Sequence, residues 1–430
     1  VTSALRTRAS ITLRAEVCAD EREFGELSEA WDRLYRRCGA ATPFQNHAWL
    51  HSWWLSYGTP GRLRLVLVRD GAELRAVAPL MLVRRPLPTL VPLGCPISDF
   101  ADVLLDDEYA EQASAALAEG LAAVARTALI DFREVRPGAA IERIYDRWRG
   151  PRRKVADSVC LELPAQPMDE LLKRLPSSRA QRVRAKLRKL GDLGIERRAV
   201  RPDEVDAALR TMLDLHRLQW QDRKVTTEHM RPRFSEHLVR SVGPMVRSGD
   251  AVVTEFRLGG DVLAVDVTLL SRQLAGGYLY GAHPRLRERK ADVATMLLDA
   301  CAGHVGSGAQ QVLSLLRGAE PYKLRWRPET VVNQRLLLAR RRTAPLLSAA
   351  VCDAAARCQG KELVRRWRAR KETKSPESPK NPAGAKNPAS ARASASARES
   401  DGNRDRGDRP GRADGPDRPG RKDRGGGGGR

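Results

Sequence analysis

No two of the seven cysteines in this sequence stand in a C-x-x-C pair, and their number is odd. Scattered over Cys18, Cys38, Cys95, Cys160, Cys301, Cys352 and Cys358, they exclude a disulfide framework and fit reduced thiols in a cytosolic protein. There is no H-E-x-x-H run and no Cys/His cluster, so no metal site is expected. No P-loop occurs either. Gly306-Ser307-Gly308 follows a helix-like segment instead of opening one, which excludes a dinucleotide fingerprint. No stretch approaches the roughly 18 apolar residues of a membrane span, and Val1 to Arg14 has no apolar core of signal-peptide length. A cytoplasmic protein with no transmembrane segment is the expectation.

What is abundant is positive charge. The 430 residues carry a formal net charge of +23. Residues 371–430 hold 15 basic and 9 acidic side chains, net +6, among Pro, Gly and Ser with almost no large apolar residue. Such a segment cannot offset its ordering entropy by burial, and reads as a disordered polyampholyte tail. Residues 346–370 read as a basic, amphipathic terminal helix. The remainder, near +17, favours anionic partners, whether nucleic acid, phosphorylated cofactors, nucleotide sugars or a membrane surface. Most of it is Arg, which a GC-rich bacterial coding bias explains more cheaply than function does.

The folded part contains a diverged repeat. Val68-Arg69-Asp70-Gly71-Ala72-Glu73-Leu74-Arg75-Ala76-Val77 aligns without a gap to Phe256-Arg257-Leu258-Gly259-Gly260-Asp261-Val262-Leu263-Ala264-Val265, at an offset of 188. Each half of the match is an apolar strand, a glycine turn and a second strand, the pattern of a β-hairpin. A period this long indicates duplicated domains. Phe24 to Arg37 and Phe44 to Trp54 read as helices ahead of the first hairpin. Val205, Leu209, Met212, His216 and Trp220 make a helical stripe ahead of the second. After the hairpins, Ser98–Leu105, Tyr109–Ala125 and Leu129–Val135 read as strand, helix, strand. Leu274–Ala282, Asp292–Val305 and Val312–Leu316 read likewise, with Gly306 and Gly308 stopping the second helix. Between the halves, Pro176 to Leu190 reads as a helix capped by Ser177 or Ser178. Val183, Leu187 and Leu190 make its buried stripe, and Arg179, Arg182, Lys186 and Lys189 lie along another face.

The densest chemistry is Gly318-Ala319-Glu320-Pro321-Tyr322-Lys323-Leu324-Arg325-Trp326, placed just after a short apolar strand. It resembles the terminal G-x-E-P-Y-K-x-R-W signature of the CelD-type acetyltransferases, within the wider GNAT-like and FemX-like fold group. Three further segments resemble that group: Pro43-Phe44-Gln45 with Trp49-Leu50 and Trp53-Trp54, the basic interdomain helix, and Leu215-His216-Arg217-Leu218-Gln219-Trp220. Together they span roughly residues 20–330. The resemblance implies an α+β chain of two tandem GNAT-like domains with mixed central sheets, over 15–160 and 161–345. It also implies an acyltransferase using acetyl-CoA or another acyl-CoA, with an amine or hydroxyl acceptor, plausibly a sugar or cell-envelope precursor.

Such a transfer needs a phosphate-holding helix start, a donor toward the developing oxyanion, and an acid and base for the leaving thiolate and the acceptor. The cations of His283 to Asp292 precede a helix, so Arg287, Arg289, Lys290, Ala291 and Val293 are expected at the cofactor, unless the run is a solvated basic loop. The family usually carries S-P-G at this helix start. This chain has Lys290-Ala291-Asp292, and Asp292 could cap the helix. The resemblance assigns Glu320 as acceptor of the acceptor's proton, Tyr322 as donor to the thiolate and Lys323 as phosphate holder. Alternatively, Glu320 and Lys323 form a structural pair that latches the loop. Asp266, among Val265, Val267 and Leu269, is either a general base or an outward strand residue. Tyr278 and Tyr280 are expected on one face, with Tyr280 as a second acid candidate. His216, Trp220, Tyr278 and Arg325 are expected at the substrate, although His216 on its apolar stripe also reads as a bonded core histidine. Two other readings stay open: FemX-like aminoacyl transfer from charged tRNA, and a non-catalytic binding protein on the same fold.

Overall fold

The computed structural model describes residues 13–84, 86–220, 228–305 and 310–352. The first half runs β1 (Arg14–Cys18), α1 (Glu21–Glu26), α2 (Ser28–Arg37), α3 (His47–Tyr57), β2 (Leu63–Asp70), β3 (Glu73–Arg84), β4 (Pro88–Pro92), β5 (Leu104–Leu105), α4 (Ala110–Val124), β6 (Leu129–Val135), α5 (Ile141–Arg147) and β7 (Arg152–Pro164). The second runs α6 (Met168–Lys173), α7 (Ser177–Asp192), β8 (Glu196–Ala199), α8 (Val205–Trp220), α9 (Pro232–Arg247), β9 (Ala251–Leu258), β10 (Asp261–Leu270), β11 (Leu274–Ala282), α10 (Arg285–Glu288), α11 (Val293–Gly303), β12 (Val312–Arg317), α12 (Pro321–Leu324) and β13 (Glu329–Leu338). Residues 344–352 are helical; the rest of the expected terminal helix and the tail lie outside the described residues, as do Gly306 and Gly308.

The repeat is visible in the backbone. In the first hairpin Asp70 faces Glu73, Arg69 faces Leu74 and Val68 faces Ala76, with the register shifting around Arg75. In the second, Leu258 faces Asp261, Arg257 faces Val262 and Phe256 faces Ala264, with the same shift around Leu263. Gly71 and Gly259 both turn through the left-handed region, at φ 59° and 57°, which a Cβ would penalise. Both bulges follow the turn at the same step, so the offset of 188 relates backbone geometry as well as residue types.

All the strands join one mixed sheet, in the order β1-β2-β3-β4-β6-β13-β7-β12-β11-β10-β9-β8, with β5 beside β3. Among the described residues only the β4–β6 and β11–β12 pairs are parallel. The halves exchange their last strands. β7 lies between β12 and β13, and β13 lies between β7 and β6, all antiparallel. The boundary expected at 160/161 therefore falls inside a strand that completes the second half's sheet. The largest apolar cluster likewise runs through both halves, from Trp31 and Trp49 to Phe234 and Met245. Helices α3 and α9, equivalent in the repeat, pack against each other, with the Trp49 and His237 rings 4.5 Å apart edge to face. Asp250, fully buried, accepts from Arg36, from Asn46 at 2.9 Å and from Ser248 at 2.6 Å, tying the halves together.

Three local expectations change. The helix expected over Phe24–Arg37 is divided at Leu27 into α1 and α2. Pro176, not a serine, occupies the start of α7, and no side chain caps it. The strand expected over Ser98–Leu105 is not formed beyond the two residues of β5, and the strand that carries the sheet on from β3 to β6 is β4. Its prolines, Pro88 and Pro92, stand at the two ends, where a missing N–H does not interrupt the ladder.

Candidate active site

β11 and β12 pair in parallel only from Leu274/Val312 to Gly276/Ser314, and beyond that they separate. Strands that part leave backbone N–H and C=O groups unpaired along both inner edges. In β12 the separation coincides with Leu316 at φ 58°, a left-handed conformation that a branched side chain seldom adopts. The next residues, Arg317 and Gly318 at φ 103°, turn the chain into α12.

In β11 the cause is a bulge. Val267 faces Leu279 and Thr268 faces Gly277, so Tyr278 is extra. A bulge puts neighbouring side chains on one face. Tyr278 and Leu279 both join the cluster shared with α3 and α8, whereas Tyr280 packs with Ala291, Val293 and Met296. Tyr278 and Tyr280 thus lie on opposite faces, a correction that follows from the loss of period-2 alternation at the bulge. Tyr278 donates to Ile97 O at 3.1 Å and lies edge to face against Trp49.

Helix α8 packs closely on the face of β11. A Cβ on Gly281 would sit 2.1 Å from Met212 O, so only glycine permits this approach. The contact lets His216 Nδ1 bond Tyr280 O at 2.9 Å. Burial pulls the His216 imidazole below its usual pKa, with the Tyr280 carbonyl opposing. The bonded-core reading of His216 describes its surroundings, at the border of the opening. One turn on, Gln219 Nε2 donates to Tyr280 Oη at 3.3 Å, and its Oε1 is buried with no partner. Gln219 was missed in the sequence; its spacing of three from His216, inside the same motif, was the available signal. The Trp220 side chain lies outside the described residues.

The signature segment closes the opening from the β12 side. Burial pushes the Tyr322 phenol up, and Glu320 and Tyr280 push it further, so it keeps its proton at neutral pH. Glu320 and Lys323 are both buried. Lys323 Nζ donates to Arg317 O at 2.9 Å and lies 2.8 Å from Glu320 Oε2, close enough to pair charges although poorly directed for a hydrogen bond. The latch geometry is the one present, and Lys323 is turned inward, away from any phosphate outside. Arg325 is exposed, and its carbonyl accepts from Arg179 at 3.0 Å.

Asp266 is 2 % exposed, beneath Gly277, and accepts from Thr268 Oγ1 at 2.9 Å. It is not an outward strand residue. Burial pushes its carboxyl up to about 7, with Thr268 opposing. At the start of α11, Asp292 accepts from Thr295 N at 2.9 Å and is paired with Lys186. Burial opposes its ionisation, but Lys186 and the Thr295 amide hold the carboxyl below its usual pKa. The helix is thus capped from within. Arg287, Arg289 and Lys290 are exposed beside it, with no hydrogen bond or ion pair from their side chains among the described residues. Ala291 and Val293 pack on the cluster holding Tyr280 and Leu190. Among the described residues no His/Cys/Asp/Glu group could hold a metal ion, and no helix is long and apolar enough to cross a membrane.

The first half has the same opening and fills it. β4 and β6 pair in parallel only at Thr89/Leu129 and Leu90/Ile130, and β6 carries its own left-handed residue, Glu134, at φ 57°. There Ala101 N donates to Glu134 O at 3.1 Å, so residues 94–102 take the vacated edge. Trp49 holds Ser98, Gln45 holds the Phe100 carbonyl, and Arg317 binds Asp99 at 2.6 Å. This segment also borders the second opening, through Tyr278 and Arg317.

The architecture is that of a mixed α+β, GNAT-like fold in tandem. Residues 177–324 match the family model of the acetyltransferase (GNAT) domain. The match runs from the start of α7 to the end of α12, inside the second half. No curated protein sequence matches it. Among solved structures, FemX is similar with a TM-score of 0.53 at 11% identity, over 74% of this chain and 98% of that one. A domain assigned to a lysylphosphatidylglycerol synthetase from Agrobacterium fabrum has a TM-score of 0.50 at 12% identity, over 77% and 97%. A conserved protein of unknown function from Bacteroides thetaiotaomicron has 0.50 at 12%, over 75% and 99%. At these identities the likeness is one of fold.

Proposed function

We propose that the chain transfers an acetyl group, or another acyl group, from acyl-CoA to an amine or hydroxyl, with the donor in the β11–β12 opening. One observation carries this reading: inside the matched GNAT segment, the parallel strands part and Tyr280, Tyr322 and Glu320 gather at the mouth. The free edge of β11 offers backbone groups to an amide-bearing extended arm and to the oxygen of a reacting carbonyl. The acceptor nitrogen or oxygen attacks the thioester carbon and the C–S bond breaks. The acceptor's proton passes to Glu320, and Tyr322, kept protonated by burial, supplies one to the thiolate. Arg289 and Lys290 stand for the donor's phosphates. The acceptor enters past residues 94–102, and the CelD-type resemblance supports a sugar or cell-envelope precursor.

Calorimetry with acetyl-CoA tests it. Micromolar binding is expected, weakened at least tenfold in the variant Arg289→Ala with Lys290→Ala. No heat from a sample shown to be folded would end the acetyl-CoA reading.

A further inference from the structure

The solvent side of α7 is rich in cations as far as its last residue, Asp192. Ala180, Val183 and Leu190 are buried, with Leu187 beside them. Around the rest of the helix stand Arg182, Arg184, Arg188 and Lys189, and Asp192 at its end is the one acid of α7. None of these four side chains has a hydrogen bond or ion pair among the described residues. On α2, by contrast, the cations have partners: Arg33 and Arg37 reach Glu73 and Arg36 reaches Asp250. Four cations without ion-pair partners on one helix, against the single Asp192, raise one another's electrostatic free energy, so the helix favours an anion that comes from outside.

The surroundings extend it. Arg179 bonds Arg325 O at one end of α7, and Lys186 pairs with Asp292 further along. These two contacts bring exposed Arg325 and the Arg287–Lys290 turn to the flanks of the helix, with Glu288 as the one exposed acid of that turn. Beside Arg325, Leu324 is 50 % exposed. A cationic stretch about 10 Å long, from Arg182 to Lys189 at 1.5 Å per residue, flanked by Arg325, the Arg287–Lys290 turn and an exposed aliphatic side chain, matches a lamellar surface of anionic headgroups. Recognition of single-stranded RNA adds exposed rings on which bases stack. Among the described residues of the whole molecule the exposed large apolar side chains, Val17, Leu55, Leu218, Leu324 and Val332, include no aromatic.

We propose that the outer face of α7 docks the protein on an anionic membrane surface. The test is flotation of the full chain with vesicles of phosphatidylglycerol and phosphatidylcholine, against phosphatidylcholine alone. Binding is expected only to the anionic vesicles, and it falls as salt shortens the Debye length. Arg182→Ala with Lys189→Ala should weaken it about 25-fold, near fivefold for each cation. Unchanged acetyl-CoA affinity and circular dichroism in that variant show that the fold survives. Two results overturn the proposal: vesicle binding unaffected by the double substitution, which assigns it to the basic tail, or absence of vesicle binding with α7-dependent binding to RNA.

Discussion

The two halves share a hairpin register, a bulge after the same turn, a parallel pair that parts early and a left-handed residue on the strand that departs. They differ in what meets the exposed edge. In the first half the chain's own Ala101 bonds it, and Phe100, buried and edge to face with Phe44, anchors the plug. In the second half the edge of β11 meets the imidazole of His216. A duplicated fold can therefore keep its frame while one copy closes its opening and becomes a wall of the other copy's site. The strand exchange between β7 and β13 makes the halves one mechanical unit, so residues 94–102 reach both openings.

The difference can be broken most severely at Gly281. Its offset counterpart in the first half is Leu93, but in the second half α8 leaves no room for a Cβ. Gly281→Ala should cost about 3 kcal/mol or more by urea denaturation, as overpacking against backbone does. Unchanged stability would mean that α8 does not lie against β11 as described. Next in size is the plug. Phe100→Ala should lose about 3 kcal/mol and leave acetyl-CoA affinity alone, because the first opening holds no donor. Stronger acetyl-CoA binding in that variant would assign a donor site to the first half.

The most specific effect, absent at low pH, is at Asp266, where the first half has Ala78. Its folded carboxyl is raised from 3.8 to about 7. Below about pH 4 both folded and unfolded chains hold the proton, and the burial costs nothing. As pH rises to 7 the unfolded chain ionises first, so wild-type stability falls across that window. Asp266→Asn should therefore match wild type near pH 4 and exceed it near pH 8, at about 1.4 kcal/mol for each pKa unit. A stability gap that does not vary with pH would show that the carboxyl is solvated.

The repeat was legible because alternation and a turn glycine are local signals, and Gly71 and Gly259 hold the conformations their residue type predicts. The clustering of Glu320, Tyr322 and Lys323 was legible for the same reason, being contiguous. The strand exchange was not: Glu329–Leu338 has the pattern of a strand, but nothing in it names β6 and β7 as partners. The bulge at Tyr278 moved one tyrosine to the other face, and Gly276-Gly277 ahead of it was the only hint. β4 was hidden by its prolines. Lys323 looked like a cation for a phosphate because its carbonyl partner, Arg317 O, is set by a turn that residue types alone do not reveal.

Backbone hydrogen exchange with and without acetyl-CoA tests the central claim most directly. Slowed exchange is predicted over residues 277–282 and 315–318, with residues 88–103 unchanged. Protection along β4 and residues 94–102 instead, or none anywhere at saturating acetyl-CoA, would contradict an open second half and a closed first.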